Sequence, residues 1–218
     1  MNTPQHHEDR YVTQVGGHRP VQPGAIAVAP NEADDFVSAV RAGGGHVAPL
    51  DAQTRGLVWL SERRASELEE ILESHPDIEW VQLPWAGVDA FAELFRRQAA
   101  RPVDERPVFT SAKGAYSEPV AEHALTLLLA CFREVPQKAR KAAWAQRTGL
   151  SIYGRRIIVI GAGGVGLAIV DLLAPFRCEV TVVRRDASAV VPGATRTVTP
   201  DDWRALLPET DAVILAAA

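Results

Sequence analysis

Arg156-Ile-Ile-Val-Ile160, Gly161-Ala-Gly163-Gly-Val-Gly166, Leu167-Ala-Ile-Val-Asp-Leu-Leu-Ala174 and Glu179-Val-Thr-Val-Val183 follow one another almost without interruption. The first and last runs have the length and β-branched content of buried strands, and the third has helical character. Strand, glycine-rich turn, helix and strand make a βαβ unit, so the glycines carry far more information than a triad on its own. Gly161 permits a tight turn, Gly163 lets backbone approach a pyrophosphate, and Gly166 lets the helix pack closely on the strand. The N–H groups at the helix start, at Gly164, Val165 and Gly166, point at phosphates, and the helix dipole favours their charge. The stretch therefore predicts a dinucleotide site in a Rossmann-type domain.

The end of the second strand distinguishes the two dinucleotides, because a carboxylate there takes both ribose hydroxyls of NAD and repels a 2′-phosphate. In this chain that place reads Val183-Arg184-Arg185-Asp186, with Arg184 23 positions after Gly161. Arg184 and Arg185 favour NADP(H) by pairing with the phosphate. NAD is the alternative, with Asp186 doing the carboxylate's work one turn late.

Outward from this unit, strands and helices alternate. Residues 1–20 lack either apolar period and read as a loose tail. Ala25-Ile-Ala-Val-Ala29 is a strand, and Asn31 offers a side-chain cap to a helix whose Ala33, Phe36, Val37 and Val40 share a face, ended by Gly43-Gly44-Gly45. Strands are expected at 46–50, 56–60, 78–83 and 108–110. A helix before Pro76 turns Leu68, Ile71 and Leu72 inward, with Ser66 and Glu69 at capping-box spacing if it begins late. Its Glu67, Glu69, Glu70 and Glu73 form a solvated outer face rather than a metal site. This alternation predicts an α/β fold with parallel sheets covered on both faces. Residues 117–147 form one long helical segment, almost wholly apolar over its first half and hence buried between domains or against a second subunit; Pro136 is placed to kink or break it.

Composition narrows the function. The 218 residues are 47% hydrophobic and 23% charged, with 23 basic and 27 acidic side chains and a net charge of -4. That field does not suit a nucleic-acid backbone or an anionic bilayer. Apolar runs are shorter than the roughly 20 residues of a membrane span, and a cytoplasmic protein is expected. Cys131 and Cys178 fit no metal or disulfide spacing and read as buried, reduced thiols.

With these pieces in order, the chain from about residue 24 resembles the D-isomer-specific 2-hydroxyacid dehydrogenases, especially the glyoxylate and hydroxypyruvate reductase branch. The resemblance rests on Trp80-Val-Gln-Leu-Pro-Trp-Ala-Gly-Val-Asp89, Thr110-Ser-Ala-Lys-Gly-Ala115, Glu118-Pro-Val-Ala-Glu-His-Ala-Leu125 with Arg133, and the glycine motif. It implies a flavodoxin-like substrate domain (21–112), a Rossmann domain (113–218), and an active site in the cleft between them. Backbone amides of Ala86, Gly87 and Val88 would hold the substrate carboxylate, a role suited to a glycine loop at a strand's carboxyl end. Trp85 would wall the pocket or sit in the core. Glu122 reads as a structural hydrogen-bonding group and His123 as a bystander. A small 2-keto or 2-hydroxy acid is the implied substrate, and a homodimer the implied assembly.

The family also needs an arginine to clamp the keto acid, a histidine to exchange the alcohol proton and a carboxylate to orient that histidine. None has a counterpart here, so no catalytic residue is assigned. Together with the apolar ending Ala212-Val-Ile-Leu-Ala-Ala-Ala218, this leads to the expectation of an amino-terminal portion with an incomplete Rossmann domain, inactive alone. The competing reading is a non-enzymatic dinucleotide-binding regulator of the same fold.

Overall fold

The computed structural model describes residues 20–143 and 147–217. Among them the chain forms two compact units, divided between Lys113 and Gly114. The expected tail thus lies outside the described residues, apart from its last position.

The first unit is a five-stranded parallel sheet of order β2-β1-β3-β4-β5, built from β1 (Ala25–Ala29), β2 (His46–Val47), β3 (Thr54–Trp59), β4 (Trp80–Leu83) and β5 (Val108–Ser111). This is the doubly wound order of flavodoxin-like sheets. Alternating side chains separate the two faces. Leu57 and Trp59 of β3 and Val81 and Leu83 of β4 pack with Leu68 and Leu72 of α2 (Ala65–Ser74) and with Phe91 and Leu94, the latter on α3 (Ala92–Ala99). Val28 and Val58 face the other way, toward Val37 of α1 (Asp34–Ala42).

Local details differ from the sequence reading. Ala33, not Asn31, is the residue preceding α1, and no side chain caps it. The α2 helix starts at Ala65, too early for Ser66 to serve as a cap. The second strand ends at Val47 because the chain turns through residues 50–53, where Asp51 Oδ1 accepts the Gln53 N–H. Glu69 is not part of a purely solvated face: Arg97 of α3 donates to both of its carboxylate oxygens, at 3.0 and 2.9 Å.

The second unit contains a four-stranded parallel sheet of order β8-β7-β6-β9, from β6 (Arg156–Ile160), β7 (Glu179–Val183), β8 (Arg196–Val198) and β9 (Ala212–Leu215). Its core joins Ile157, Val159, Val180 and Val182 to Ala121 and Leu128 of α4 (Ser117–Phe132) and to Ala168, Ile169 and Leu173 of α6 (Gly164–Leu173). The helical segment expected over 117–147 is two helices, broken just ahead of Pro136 as the position of that proline implied. Glu134 adopts a left-handed conformation (φ 53°), and α5 (Val135–Ala139) restarts with Pro136 in its first turn. Proline has no N–H to continue α4 and its ring crowds the preceding turn. Residues 144–146 of that segment lie outside the described residues.

The α4 helix is buried on one face only. Ala121 and Leu128 are covered, whereas Val120 and Leu127 are 46% and 54% exposed. Cys131 is exposed too, against expectation, because it falls on the α4 face turned away from the core. Cys178 is half-buried, and burial pushes its thiol upward.

At the amino end of the second sheet, Asp211 accepts the Arg156 N–H through Oδ2 at 2.8 Å and the Arg155 guanidinium through Oδ1 at 3.0 Å. The Arg156 N–H, followed by Arg155, holds the Asp211 carboxyl below its ordinary value, opposed by some burial. A carboxyl depressed by folding stabilises the folded state above its unfolded pKa, and that contribution disappears as pH falls through the folded value. Asp211→Ala should therefore destabilise the protein by about 1.5 kcal/mol at neutral pH. Denaturant melts across pH should show the difference from wild type shrinking below about pH 4.

Candidate dinucleotide and carboxylate sites

The chain leaves β6 at the carboxyl edge of its sheet through Gly161, whose φ of +111° is a conformation that side chains other than glycine rarely adopt. A Cβ at this position would lie 2.7 Å from the Ala216 oxygen, so packing requires glycine as well. Gly166 is constrained in another way. Its Cβ would come within 2.1 Å of the Gly161 oxygen, where the first turn of α6 folds back against the strand exit.

Gly163 is under neither constraint. Its φ is -79° and nothing lies within 4 Å of where its Cβ would stand. It is exposed and precedes α6, whose first internal bond runs from the Leu167 N–H to the Gly163 oxygen. The N–H groups of Gly164, Val165 and Gly166 come before that bond and have no carbonyl partner within the helix. An open, Cβ-free approach to a ten-residue helix start fits a pyrophosphate, so these residues suit the dinucleotide that the sequence implies.

At the end of β7, Val183 is buried while Arg184, Arg185 and Asp186 are exposed. The Arg184 N–H donates to the Val198 oxygen at 3.1 Å, which fixes the strand exit. Asp186 Oδ1 accepts the Ser188 N–H at 3.0 Å, and Arg184 Nη2 is 3.9 Å from Asp186 Oδ2. Bonding to Ser188 holds the Asp186 carboxyl below its ordinary value, with Arg184 adding a smaller effect. The carboxylate is thus engaged in its own turn.

In the first unit, Ala86, Gly87 and Val88 follow β4 at the carboxyl edge of that sheet. Ala86 and Gly87 are exposed, no atom lies within 4 Å of a Cβ at Gly87, and Val88 packs against the core below. The Trp85 oxygen accepts the Ala112 N–H at 3.1 Å, tying the loop to the end of β5. Glu122 and His123 are both exposed on α4. The hydrogen bond at Glu122 is made by its backbone oxygen, which accepts the Thr126 hydroxyl. Among the described residues no group of three His, Cys, Asp or Glu side chains could hold a metal, and no helix is long and apolar enough to cross a membrane.

Residues 125–218 match the sequence profile described as "D-isomer specific 2-hydroxyacid dehydrogenase, NAD binding domain". This part of the chain is therefore similar to the NAD-binding domain of the D-isomer-specific 2-hydroxyacid dehydrogenases. Similar curated sequences include an uncharacterized protein in the proB 3′ region of Corynebacterium melassecola, 27% identical over 83% of this chain and 58% of that protein. The glyoxylate/hydroxypyruvate reductase HPR3 of Arabidopsis thaliana is 30% identical over 34% of this chain and 25% of its own. The fold matches a D-isomer-specific 2-hydroxyacid dehydrogenase family structure from Aeromonas salmonicida, with a TM-score of 0.68 at 15% identity, over 90% of this chain and 64% of that one. The chain thus spans less than two thirds of the length of these relatives.

The two glycines separate folding from binding. Gly161→Ala should destabilise the second unit, with a cost of at least about 1–2 kcal/mol from the backbone conformation alone. Gly163→Ala should leave the thermal midpoint almost unchanged and weaken dinucleotide binding at least about tenfold, or roughly 1.4 kcal/mol. Thermal melts beside a fluorescence titration with reduced dinucleotide measure both.

Proposed function

We propose that this chain supplies the dinucleotide site and the substrate-carboxylate loop of an NADPH-dependent reductase of small 2-keto acids, of the glyoxylate or hydroxypyruvate type. The open cradle at Gly163, directly before the α6 helix, carries this reading. The name of the Arabidopsis relative supports the substrate class, and a structural neighbour described as an acyclic imino acid reductase in complex with NADPH and D-Arg agrees with the cofactor.

When bound, the reduced nicotinamide supplies a hydride to C2 of the keto acid. Gly161 and Gly163 leave room for the pyrophosphate, and the Gly164, Val165 and Gly166 amides donate to it. Arg184 and Arg185 take the 2′-phosphate, a role favoured by the engagement of Asp186 with Ser188. The Ala86, Gly87 and Val88 amides bind the substrate carboxylate and orient C2.

Among the described residues of the first unit, neither histidine is placed to protonate the new alcohol. His46 begins β2, at the opposite edge of the sheet from the 86–88 loop. His75 follows α2 with Nδ1 3.1 Å from the Ile71 oxygen, ahead of the amino end of β4. We therefore expect the 218-residue chain to bind dinucleotide without turning over substrate. A cytoplasmic setting accords with its free thiols, and the exposed Val120 and Leu127 on α4 favour a homodimer.

Arg184→Asp combined with Arg185→Ala should weaken NADPH binding by about tenfold or more and NADH binding much less. Equal losses for the two cofactors would contradict the preference. Incubating the chain with NADPH and glyoxylate should leave the 340-nm absorbance of the nicotinamide, a general property of the reduced cofactor, unchanged (on the order of 0% conversion). Clear oxidation would show that these residues suffice for catalysis.

A further inference from the structure

The glycine turn rests on the end of β9. Gly161 lies so close to Ala216 that no side chain fits between them, and the Ala216 N–H donates to the Ile160 oxygen at 2.8 Å. The position of Ala216 along β6 therefore decides where Gly161 can sit.

Little in β9 itself fixes that position. Residues 212–218 are apolar throughout. Ala212, Ile214 and Ala216 pack toward the core, while Val213 and Leu215 are 42% and 74% exposed. A slip of one residue exchanges the two sets of side chains. In this strand both sets are apolar, so the hydrophobic pattern does not choose between registers. The strand is also short, and β6 is its sole partner among the described strands.

The choice is made at Asp211. Its N–H donates to the Arg156 oxygen at 2.8 Å, and its carboxylate takes the Arg156 N–H and the Arg155 guanidinium. Arg155 is itself held, its Nε donating to the Ser151 oxygen at 3.0 Å. A neighbouring pair, Arg156 with Glu209 at 3.1 Å, is more exposed. These bonds pair one residue with one partner, which an apolar strand face cannot do.

We infer that Asp211 is a positioning residue for dinucleotide binding. It pins the register of β9 on β6, and the carboxyl end of β9, about 16 Å away along the strand, then sets the glycine turn through the Ala216–Gly161 contact. The inference rests on the dinucleotide reading above, but its register component can be measured without ligand.

The test compares Asp211→Ala and Asp211→Asn with Ile152→Ala, a buried substitution in the same core at a residue outside β9 and the glycine turn. Asp211→Ala should weaken NADPH binding about tenfold, roughly 1.4 kcal/mol, whereas Ile152→Ala should bind as wild type despite its lower thermal midpoint. Asp211→Asn keeps an oxygen acceptor for the Arg156 N–H and should recover most of the affinity. In hydrogen exchange without ligand, Asp211→Ala should speed exchange at the Ala216 and Gly161 amides, and Ile152→Ala should not. Unchanged exchange at those amides, or equal loss of affinity in Asp211→Ala and Ile152→Ala, would overturn the inference. Failure of the wild-type chain to bind NADPH would contradict the dinucleotide reading instead, and the exchange result would still decide the register claim.

Discussion

Parallel pairing of β6 with β7 on one side and β9 on the other obliges the chain to leave the middle of the second sheet at its carboxyl edge, hemmed in by both neighbours. Gly161 resolves that exit. Its N–H donates to the Val183 oxygen of β7, while its missing side chain leaves room for the Ala216 backbone beyond β9. Because the turn is so tight, α6 starts immediately above the strand, and Gly166 is compressed against the Gly161 oxygen. The helix start, with Gly163 exposed just before it, follows from that compression.

The first sheet obeys the same rule with a different result. Its strands are also all parallel, so the loop after β4 emerges at a carboxyl edge, where Ala86 and Gly87 are exposed above a core closed by Leu83 and Val88. Each unit thus presents an unobstructed backbone segment at the edge where ligands of doubly wound sheets bind. Gly163 and Gly87 share a property that separates them from Gly161 and Gly166: no neighbouring atom would oppose a side chain at either position. These are the two positions at which the proposed ligands would approach the backbone.

Much of this was legible in the sequence because it is local. The β6–α6–β7 unit announces itself by period and glycine spacing, and the alternation of apolar strands and amphipathic helices gives parallel sheets. Local cues misled where tertiary contacts intervened. Asn31 and Ser66 had the chemistry of caps, but the helices start where packing places them. Cys131, which read as buried because its segment is apolar, lies on the face of α4 turned away from the core. The Asp211 clamp had no sequence signal, since an aspartate and two arginines more than fifty positions apart form no motif. Their relation exists only once β9 lies beside β6.

In the proposed reading, the backbone at the start of α6 receives a dinucleotide pyrophosphate. Amide chemical shifts followed by NMR during titration with NADPH test it most directly. Saturable shifts are expected, concentrated at Gly163, Gly164, Val165 and Gly166, with smaller ones at Arg184 and Arg185. Saturable binding that left these amides unmoved, or no binding at all, would contradict it.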